Sequence, residues 1–111
     1  MNKERKKRLA KEGFAILRAR YKKLFGSAKP LAIGVGDEIL SQAKEGELQK
    51  LRFALRRYCS GVNYLKAVRD GTHRYGLNGK KLQEISDEER ERASLMIKNA
   101  YKNISAANRK R

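Results

Sequence analysis

The sequence predicts a single, mostly helical domain of the α+β class, with about five helices and one small β-hairpin before the C-terminal helix. The length of 111 residues is that of one ordinary domain. Apolar residues recur at intervals of three and four along most of the chain, as amphipathic helices require. Alternation of period two takes over beside Asn78-Gly79, a dipeptide that is the strongest short-range signal for a hairpin.

The first helix is predicted from an apolar stripe within a basic segment. The stripe residues lie three and four positions apart, and they are Phe14, Leu17, Tyr21, Leu24 and Phe25. Gly26-Ser27 and then Pro30 end this helix. Residues 1–8 contain almost no apolar side chains. They are therefore expected to form a flexible basic arm.

Three further helices are predicted between this segment and the hairpin. A short helix from about Gly36 or Asp37 to Gly46 buries Ile39, Leu40 and Ala43. The clearest helix lies between Gly46 and Gly61, and its buried stripe consists of Leu48, Leu51, Ala54, Leu55 and Tyr58. Residues 62–68 form another short helix.

The hairpin and the last helix complete the fold. Residues 72–77 and 80–82 are predicted as the two strands on either side of the Asn78-Gly79 turn. Ser86 and Glu89 then have the spacing of a capping box, in which each side chain accepts the other's backbone N–H. The apolar residues expected to hold the last helix in place are Ala93, Met96, Ile97, Ala100, Tyr101 and Ile104.

The charge of the chain predicts a polyanionic partner. Lys and Arg number 28 and Asp and Glu number 12, a net charge of +16. Residues 1–30 hold eleven basic and two acidic residues, a net +9, whereas residues 31–78 net only +3. So large an excess repels itself in a small compact domain unless a polyanion offsets it. Nucleic acid is the leading candidate and an anionic membrane surface the second. The expected organisation is an arm at 1–8, a domain at 9–105 and a basic tail at 106–111.

Several classes of protein are excluded by composition. No apolar run approaches the ~20 residues that span a bilayer, and no apolar segment of a secretion signal follows the basic N-terminus. Cys59 is the only cysteine, so an internal disulfide is impossible. His73 is the only histidine, which excludes the usual histidine-based metal sites. We therefore expect a cytoplasmic binding protein that is not an enzyme and uses no cofactor or metal.

The basic residues of the central helices are the candidates for binding. Arg52 and Arg56 lie four positions apart, which places their Cβ atoms about 6 Å from each other on one helix face. Guanidinium groups bind phosphate through two parallel hydrogen bonds. Tyr64, Arg69 and Arg74 follow within twenty residues, and bases stack on aromatic rings and on arginine planes. The alternatives are a solvated face for the arginines and a place in the core for Tyr64.

Four segments carry a resemblance to a known family. They are Pro30-Leu31-Ala32-Ile33-Gly34-Val35, then LRFALRRYCS at 51–60, Tyr64-Leu65, and GTHRYGLNG at 71–79. In this order and spacing they resemble the ProQ/FinO family of bacterial RNA chaperones, over roughly residues 10–104. One fixed position departs from the family pattern, because Gly61 stands where the family has serine.

The resemblance implies a ProQ/FinO-like fold that binds structured RNA through a concave basic face. The implied ligands are small RNAs and mRNA 3′ ends, held at the base of a terminator hairpin and its single-stranded 3′ tail. The implied RNA-binding residues are Arg52, Arg56, Ser60, Tyr64, Arg69 and Arg74. Among these, Ser60 and its neighbours at a helix start hold the 3′-terminal nucleotide. The implied role is in post-transcriptional regulation.

Departures from the family bear on this expectation. Cys59 stands where threonine is common, and Ser94 and Leu95 replace basic positions of the last helix. Nothing after Arg111 corresponds to the linker and second domain of longer ProQ proteins, so a minimal, monomeric member is expected. One alternative is a general basic or ribosome-associated RNA-binding protein without preference for 3′ ends. Another is peripheral membrane binding through the amphipathic N-terminal helix.

Overall fold

A computed structural model describes the backbone of residues 2–109 and the side chains of residues 2–104. The described elements are α1 (Lys3–Arg20), α2 (Lys22–Phe25), α3 (Val35–Ser41), α4 (Leu48–Ser60), α5 (Val62–Asp70), β1 (His73–Tyr75), β2 (Lys81–Glu84) and α6 (Asp87–Arg109). The predicted class, mostly helical with a hairpin before the last helix, is confirmed. The described part of the chain has six helices because the first predicted helix is divided in two. None of its helices has the length and apolar character needed to cross a membrane.

The basic N-terminal segment is helical where a flexible arm was predicted. Asn2 caps α1, and its side-chain oxygen accepts the backbone N–H of Arg5 at 2.8 Å. Glu4 places a negative charge in the first turn, where the helix dipole favours one. These local interactions start the helix at Lys3 without help from apolar residues. At the other end, residues 106–109 of the predicted tail continue α6, and Lys110 and Arg111 lie outside the described residues.

The division of the first helix occurs at Tyr21. This residue has a non-helical backbone, with φ −123° and ψ 55°, and its ring is buried. Its hydroxyl donates to the side-chain oxygen of Gln42 at 2.7 Å. The change of direction turns Leu24 and Phe25 into the core, where both are buried. The predicted stripe is correct, but the bend depends on a partner twenty-one residues away.

Helices α1 and α4 run antiparallel and pack unusually closely. A Cβ atom at Gly13 would lie 2.1 Å from the carbonyl oxygen of Lys50 and 2.9 Å from the Cβ of Ala54. At the end of α1, the Arg20 guanidinium binds both carboxylate oxygens of Glu47, each at 2.9 Å. Glycine is therefore the residue that brings the two backbones together, and the ion pair aligns them.

The Arg20–Glu47 pair predicts a loss of stability in acid. Hydrogen bonds from Arg20 and from the N–H of Lys44 lower the pKa of Glu47 from 4.5 to about 2. The stabilisation is therefore complete above pH 4.5 and is lost as the pH falls from 4.5 towards 2. In urea unfolding measured across this range, Glu47→Gln is expected to give a flatter pH dependence than wild type. Glu45→Gln, at an exposed neighbouring position, is the matched control, and an equal flattening in both variants would contradict the assignment.

The core lies between α1, α2, α3, α4 and α5. The side chains with no exposure are Leu17, Leu24, Ile39, Leu51 and Ala54. Two parts of the predicted stripes are wrong. Leu48 is 42% exposed, because it stands at the first residue of α4 and outside the contact with α1. Met96, Tyr101 and Ile104 are exposed, whereas Ala93 and Ile97 are the α6 residues that are buried in the contact with the rest of the fold.

The hairpin forms with a wider turn than the Asn-Gly dipeptide predicts. Tyr75 pairs with Lys81, so five residues connect the strands, and β2 begins at Lys81. Of the two turn residues only Gly79 has a positive φ, +79°, whereas a two-residue type I′ turn needs two. Strand β1 also binds the segment before α3: Tyr75 donates to the Pro30 carbonyl at 2.8 Å and accepts the Ala32 N–H at 2.8 Å. This segment is thereby fixed beside the start of α5.

Candidate functional site

A cavity of about 500 Å³ opens where α4 ends and α5 begins. We call it the α5 pocket, and its lining includes Phe14, Arg18, Arg57, Tyr58 and residues 61–64. Gly61, with extended backbone at φ −74° and ψ 150°, is the N-cap residue of α5, and no side chain caps the helix. The first N–H of α5 with an intrahelical partner is that of Leu65, which bonds to the Gly61 carbonyl at 3.0 Å. The N–H groups of residues 62–64 therefore have no intrahelical partners, and these three residues line the pocket.

The electrostatics of the α5 pocket favour an anion. The amino end of α5 carries the positive end of the helix dipole. Two guanidinium groups line the same cavity, those of Arg18 and Arg57. The Arg18 guanidinium also lies 4.9 Å from the centre of the Phe14 ring, a cation–π contact. Backbone donors, the dipole and two cations together form a site suited to phosphate.

The wall of the pocket is aromatic. The Tyr58 ring centre lies 5.6 Å from that of Phe14, 5.1 Å from that of Phe25 and 5.1 Å from that of Tyr64. Its hydroxyl accepts the N–H of Lys29 at 3.0 Å, and burial raises the pKa of this phenol. The position of Tyr58 is therefore fixed by packing and by a backbone hydrogen bond. A fixed aromatic surface beside an anion site suits a ligand that has both a ring and a phosphate.

The predicted residues on α4 lie beside the α5 pocket. Ser60 is exposed and donates its hydroxyl to the Arg56 carbonyl at 2.9 Å, so it closes the last turn of α4 and does not cap α5. Arg56 is exposed and lines a cavity between α4 and α1. Arg52 is exposed one turn earlier on the same face. Both arginines lie on α4 four residues apart, so they share one face of that helix.

Tyr64 belongs to the core, which is one of the two alternatives left open by the sequence. Its side chain is 8% exposed, and its hydroxyl accepts the N–H of Leu31 at 3.2 Å. Burial raises the pKa of Tyr64, and the contacts with Leu31 and Arg74 act in the opposite direction. The face of this ring is not open to a stacking base. Its place in a site is to hold the start of α5 against the segment before α3.

Arg74 lies next to Tyr64 and is engaged with the protein. Its Nε donates to Glu89 Oε2 at 3.0 Å, its Nη2 forms an ion pair with the same oxygen, and its Nη1 donates to the Leu31 carbonyl at 3.1 Å. The Arg74 side chain is 17% exposed. Its hydrogen bond lowers the pKa of Glu89. The predicted capping box orients that carboxylate, because the Ser86 N–H donates to Glu89 Oε1 at 3.4 Å and the Ser86 hydroxyl lies 3.1 Å from the same oxygen.

The six predicted residues therefore do not form one cluster. Tyr64 and Arg74 share a small cavity of about 170 Å³ that also contacts Arg92 on α6. Arg69, in the last turn of α5, binds its neighbour Asp70 through two hydrogen bonds of 2.8 and 2.9 Å. Side-chain pairing thus occupies Arg69 and Arg74, whereas Arg52 and Arg56 are exposed.

Sequence reasoning missed Arg57 and the cations of α1. Arg57 precedes Gly61 by four residues, so one turn of helix places it beside the start of α5. The α1 cations, assigned to a separate arm, instead line the groove that α1 forms with α4. The available signal was Gly13, since a glycine within a helix often marks a close approach of two backbones. Within residues 2–104, no group of three His, Cys, Asp or Glu side chains is placed to hold a metal ion.

The fold and the basic pocket are those of a small helical protein with a pocket suited to anionic ligands. Similarity to known proteins identifies the family. A protein of Neisseria meningitidis MC58, whose crystal structure is described as a FinO-like RNA chaperone, matches with a TM-score of 0.67. Its identity to this chain is 26%, and the match covers 86% of this chain and 81% of that one. Residues 8–111 match the model of the ProQ/FINO family. The chain belongs to the ProQ/FinO family.

Curated relatives agree with this assignment. The RNA chaperone ProQ of Shewanella piezotolerans is 37% identical over 84 residues, which is 73% of this chain and 40% of that protein. The RNA chaperone ProQ of Aliivibrio salmonicida is 32% identical over 103 residues, 87% of this chain and 49% of that protein. The chain thus spans less than half the length of these relatives.

Proposed function

We propose that this protein is a non-enzymatic RNA chaperone that holds the free 3′ end of structured RNA in the α5 pocket. The observation that carries the proposal is the uncapped start of α5 between Arg18 and Arg57, in a cavity of about 500 Å³ with an aromatic wall. Membership of the ProQ/FinO family and the names of the relatives support RNA as the ligand. The RNAs are small RNAs and mRNA 3′ ends, each with a terminator hairpin followed by a single-stranded tail.

The chemistry of an RNA end matches the pocket. The N–H groups of residues 62–64 and the two guanidinium groups bind the last phosphates of the chain. The terminal ribose and base have room against Phe14 and Tyr58, in a cavity of the size usual for small ligands. Only a chain end, or a strand that leaves a duplex, reaches such a site, because A-form RNA keeps its base edges in a narrow groove. Selectivity for the 3′ end follows if its two hydroxyls enter the pocket.

The remaining predicted residues have separate roles in this proposal. Arg52 and Arg56 bind backbone phosphates on the exposed face of α4. Arg74 contacts RNA through the guanidinium hydrogens that its protein partners leave available, and Tyr64 positions the start of α5. Arg69 and Ser60 contribute at the margin of the surface. The protein acts in the cytoplasm as a monomer, in post-transcriptional regulation.

Blocking the 3′ end of an RNA is expected to weaken its binding. A terminator-type hairpin with a free 3′ hydroxyl and the same RNA with a 3′ phosphate are compared by filter binding. A 3′ phosphate replaces the terminal hydroxyl, which is a hydrogen-bond donor, and competes with the last backbone phosphate for the N–H groups of the helix end, so we expect about a tenfold loss of affinity for the blocked RNA, equivalent to about 1.4 kcal/mol. Neutralisation of about five phosphates also predicts a slope of about −3.5 to −4.5 in log affinity against log salt. Equal binding of both RNAs would identify a general RNA-binding protein without 3′-end selectivity.

The variant Val62→Pro tests the helix terminus itself within the same experiment. Proline is favoured at the first position of a helix and removes one N–H, and Gly61 already has the extended backbone that a following proline requires. The thermal midpoint is expected to change little. Affinity for the 3′-hydroxyl hairpin should fall while affinity for a blunt duplex of equal length stays the same. An equal loss for both RNAs would place the RNA end elsewhere.

A further inference from the structure

A second cationic cavity system continues from the α5 pocket along α1. It consists of two adjoining cavities of about 470 and 520 Å³ between α1 and α4, which we call the α1–α4 groove. Arg57 lines both cavities and the α5 pocket as well, and Phe14 and Arg18 line the pocket and the nearer cavity. The groove and the pocket are therefore continuous at Arg57. Between Lys3 and Arg18 the groove follows about 22 Å of helix.

The rim of the groove carries an uncompensated positive charge. Lys3, Lys6, Lys7 and Lys11 contribute from α1, and Arg56 and Arg57 contribute from α4. A single carboxylate, that of Glu4, lines the same cavities. Among the ion pairs of the described residues, none involves these six cations. A row of like charges held this close destabilises the helix pair unless a polyanion lies between them.

The floor of the groove is apolar and aromatic. Ala10 is buried at its centre, and the half-buried rings of Phe53 and Phe14 lie towards its two ends. Cations along a rim with aromatic rings beneath them form the arrangement that binds single-stranded nucleic acid, with phosphates at the rim and bases on the rings. A duplex does not fit this pattern, because its bases are paired and stacked on each other.

We propose that the α1–α4 groove binds the single-stranded RNA that leads to the 3′ end, so that α1 sets the length of tail the protein requires. This inference rests on the proposed function, since the α5 pocket receives the end of the same strand. The length of the groove corresponds to a few nucleotides, near the lower limit of known single-strand sites. The net +9 of residues 1–30 is then a directed contact surface and not only a source of general attraction.

The test compares two double variants of α1 that remove the same charge. Lys6→Ala with Lys7→Ala removes two groove cations, and Arg5→Ala with Arg8→Ala removes two exposed cations that line neither cavity. Alanine is the best helix former, so both variants should keep α1, which circular dichroism verifies. Each is titrated with hairpins that carry 3′ tails of about four or about twelve uridines, a span that covers short and long single-strand sites.

The groove variant is expected to lose about tenfold in affinity for the long tail, whereas the control variant should lose less than threefold. Both should keep the preference for a 3′ hydroxyl over a 3′ phosphate, which depends on the α5 pocket. Equal losses in the two variants, at both tail lengths, would overturn the groove. So would displacement of the tail by polyglutamate as readily as by oligouridine, because the groove would then be a site for acidic peptide. A different outcome would overturn only the proposed function: wild type binds the 3′-hydroxyl and 3′-phosphate hairpins equally, while the groove variant still loses affinity for the long tail.

Discussion

Gly13→Ala is expected to destabilise the protein by about 2–3 kcal/mol, the upper part of the range for overpacked cores. The added methyl group would lie 2.1 Å from the Lys50 carbonyl oxygen, and the neighbouring Cβ of Ala54 would be at 2.9 Å. The obstacle is backbone, which cannot move aside as a flexible side chain does. Helices α1 and α4 must therefore separate. The result is measured as a lower urea midpoint in equilibrium unfolding at neutral pH.

Gly36→Ala is the matched control for this variant. Gly36 also lies within a helix, α3, but no atom stands within 4 Å of the position that its Cβ would occupy. Alanine there is expected to be neutral or to stabilise the protein by about 0.5–1 kcal/mol, because it reduces the freedom of the unfolded chain. A similar loss in both variants would mean that the close approach of α1 and α4 is not what Gly13 provides.

The separation of α1 from α4 also has a functional consequence. Movement of α1 widens the groove and removes Arg18 from the α5 pocket, so Gly13→Ala should bind hairpins with long tails less tightly even at temperatures where it remains folded. Its residual binding is expected to resemble that of the Lys6→Ala, Lys7→Ala variant. Gly36→Ala should bind as wild type does.

Features that depend on neighbouring residues were predicted from the sequence. The stripe of α1 and α2, the positions of α4 and α5, and the capping box at Ser86 all follow from spacing over three or four residues. The start of α1 was not predicted, although it too is local, because its cap at Asn2 precedes residues with no apolar pattern. The N-cap and the acidic first turn extend α1 beyond the residues that pack in the core, so the apolar pattern alone places the start of the helix too late.

Features that depend on distant residues were not predicted. The bend at Tyr21 is accompanied by a hydrogen bond to Gln42, and the groove exists because Gly13 meets Lys50. No pattern near Tyr21 indicates Gln42 as its partner, and Gly13 indicates a close approach without identifying Lys50 as the residue it meets. The same holds for the candidate site. The position of the arginine pair on one face of α4 follows from its spacing in the sequence. Arg57 lines the α5 pocket only because α5 starts beside it and α1 packs opposite, and neither neighbour can be predicted from the local sequence. Likewise, the basic residues of α1 reach α4 only through the packing of the two helices, which no local pattern encodes.

Arg74→Ala is expected both to destabilise the fold and to weaken RNA binding by at least tenfold. Arg74 connects β1 to the Leu31 carbonyl and to Glu89 on α6. Its removal leaves both acceptors without this donor, and the partial exposure of the pair reduces the expected cost to about 1–3 kcal/mol, below that of a fully buried pair. The effect on RNA has two physical sources, a lost cation at the surface and a loosened segment beside Tyr64. A single variant cannot separate them.

Glu89→Gln separates the two sources, because it breaks the same ion pair and leaves the arginine in place. A guanidinium has five N–H donors, and three of those of Arg74 are used by Glu89 and Leu31. Two remain for a phosphate.

If Arg74 contacts RNA, Glu89→Gln should lower the urea midpoint as Arg74→Ala does. The RNA affinity of Glu89→Gln should nevertheless stay within about threefold of wild type, a difference of less than about 0.7 kcal/mol. Glu88→Gln, an exposed acid in the same turn of α6, corrects for the simple loss of one negative charge. A loss of RNA affinity in Glu89→Gln as large as that in Arg74→Ala would show that Arg74 acts only by holding the segment at Leu31, and would remove it from the RNA-contacting residues.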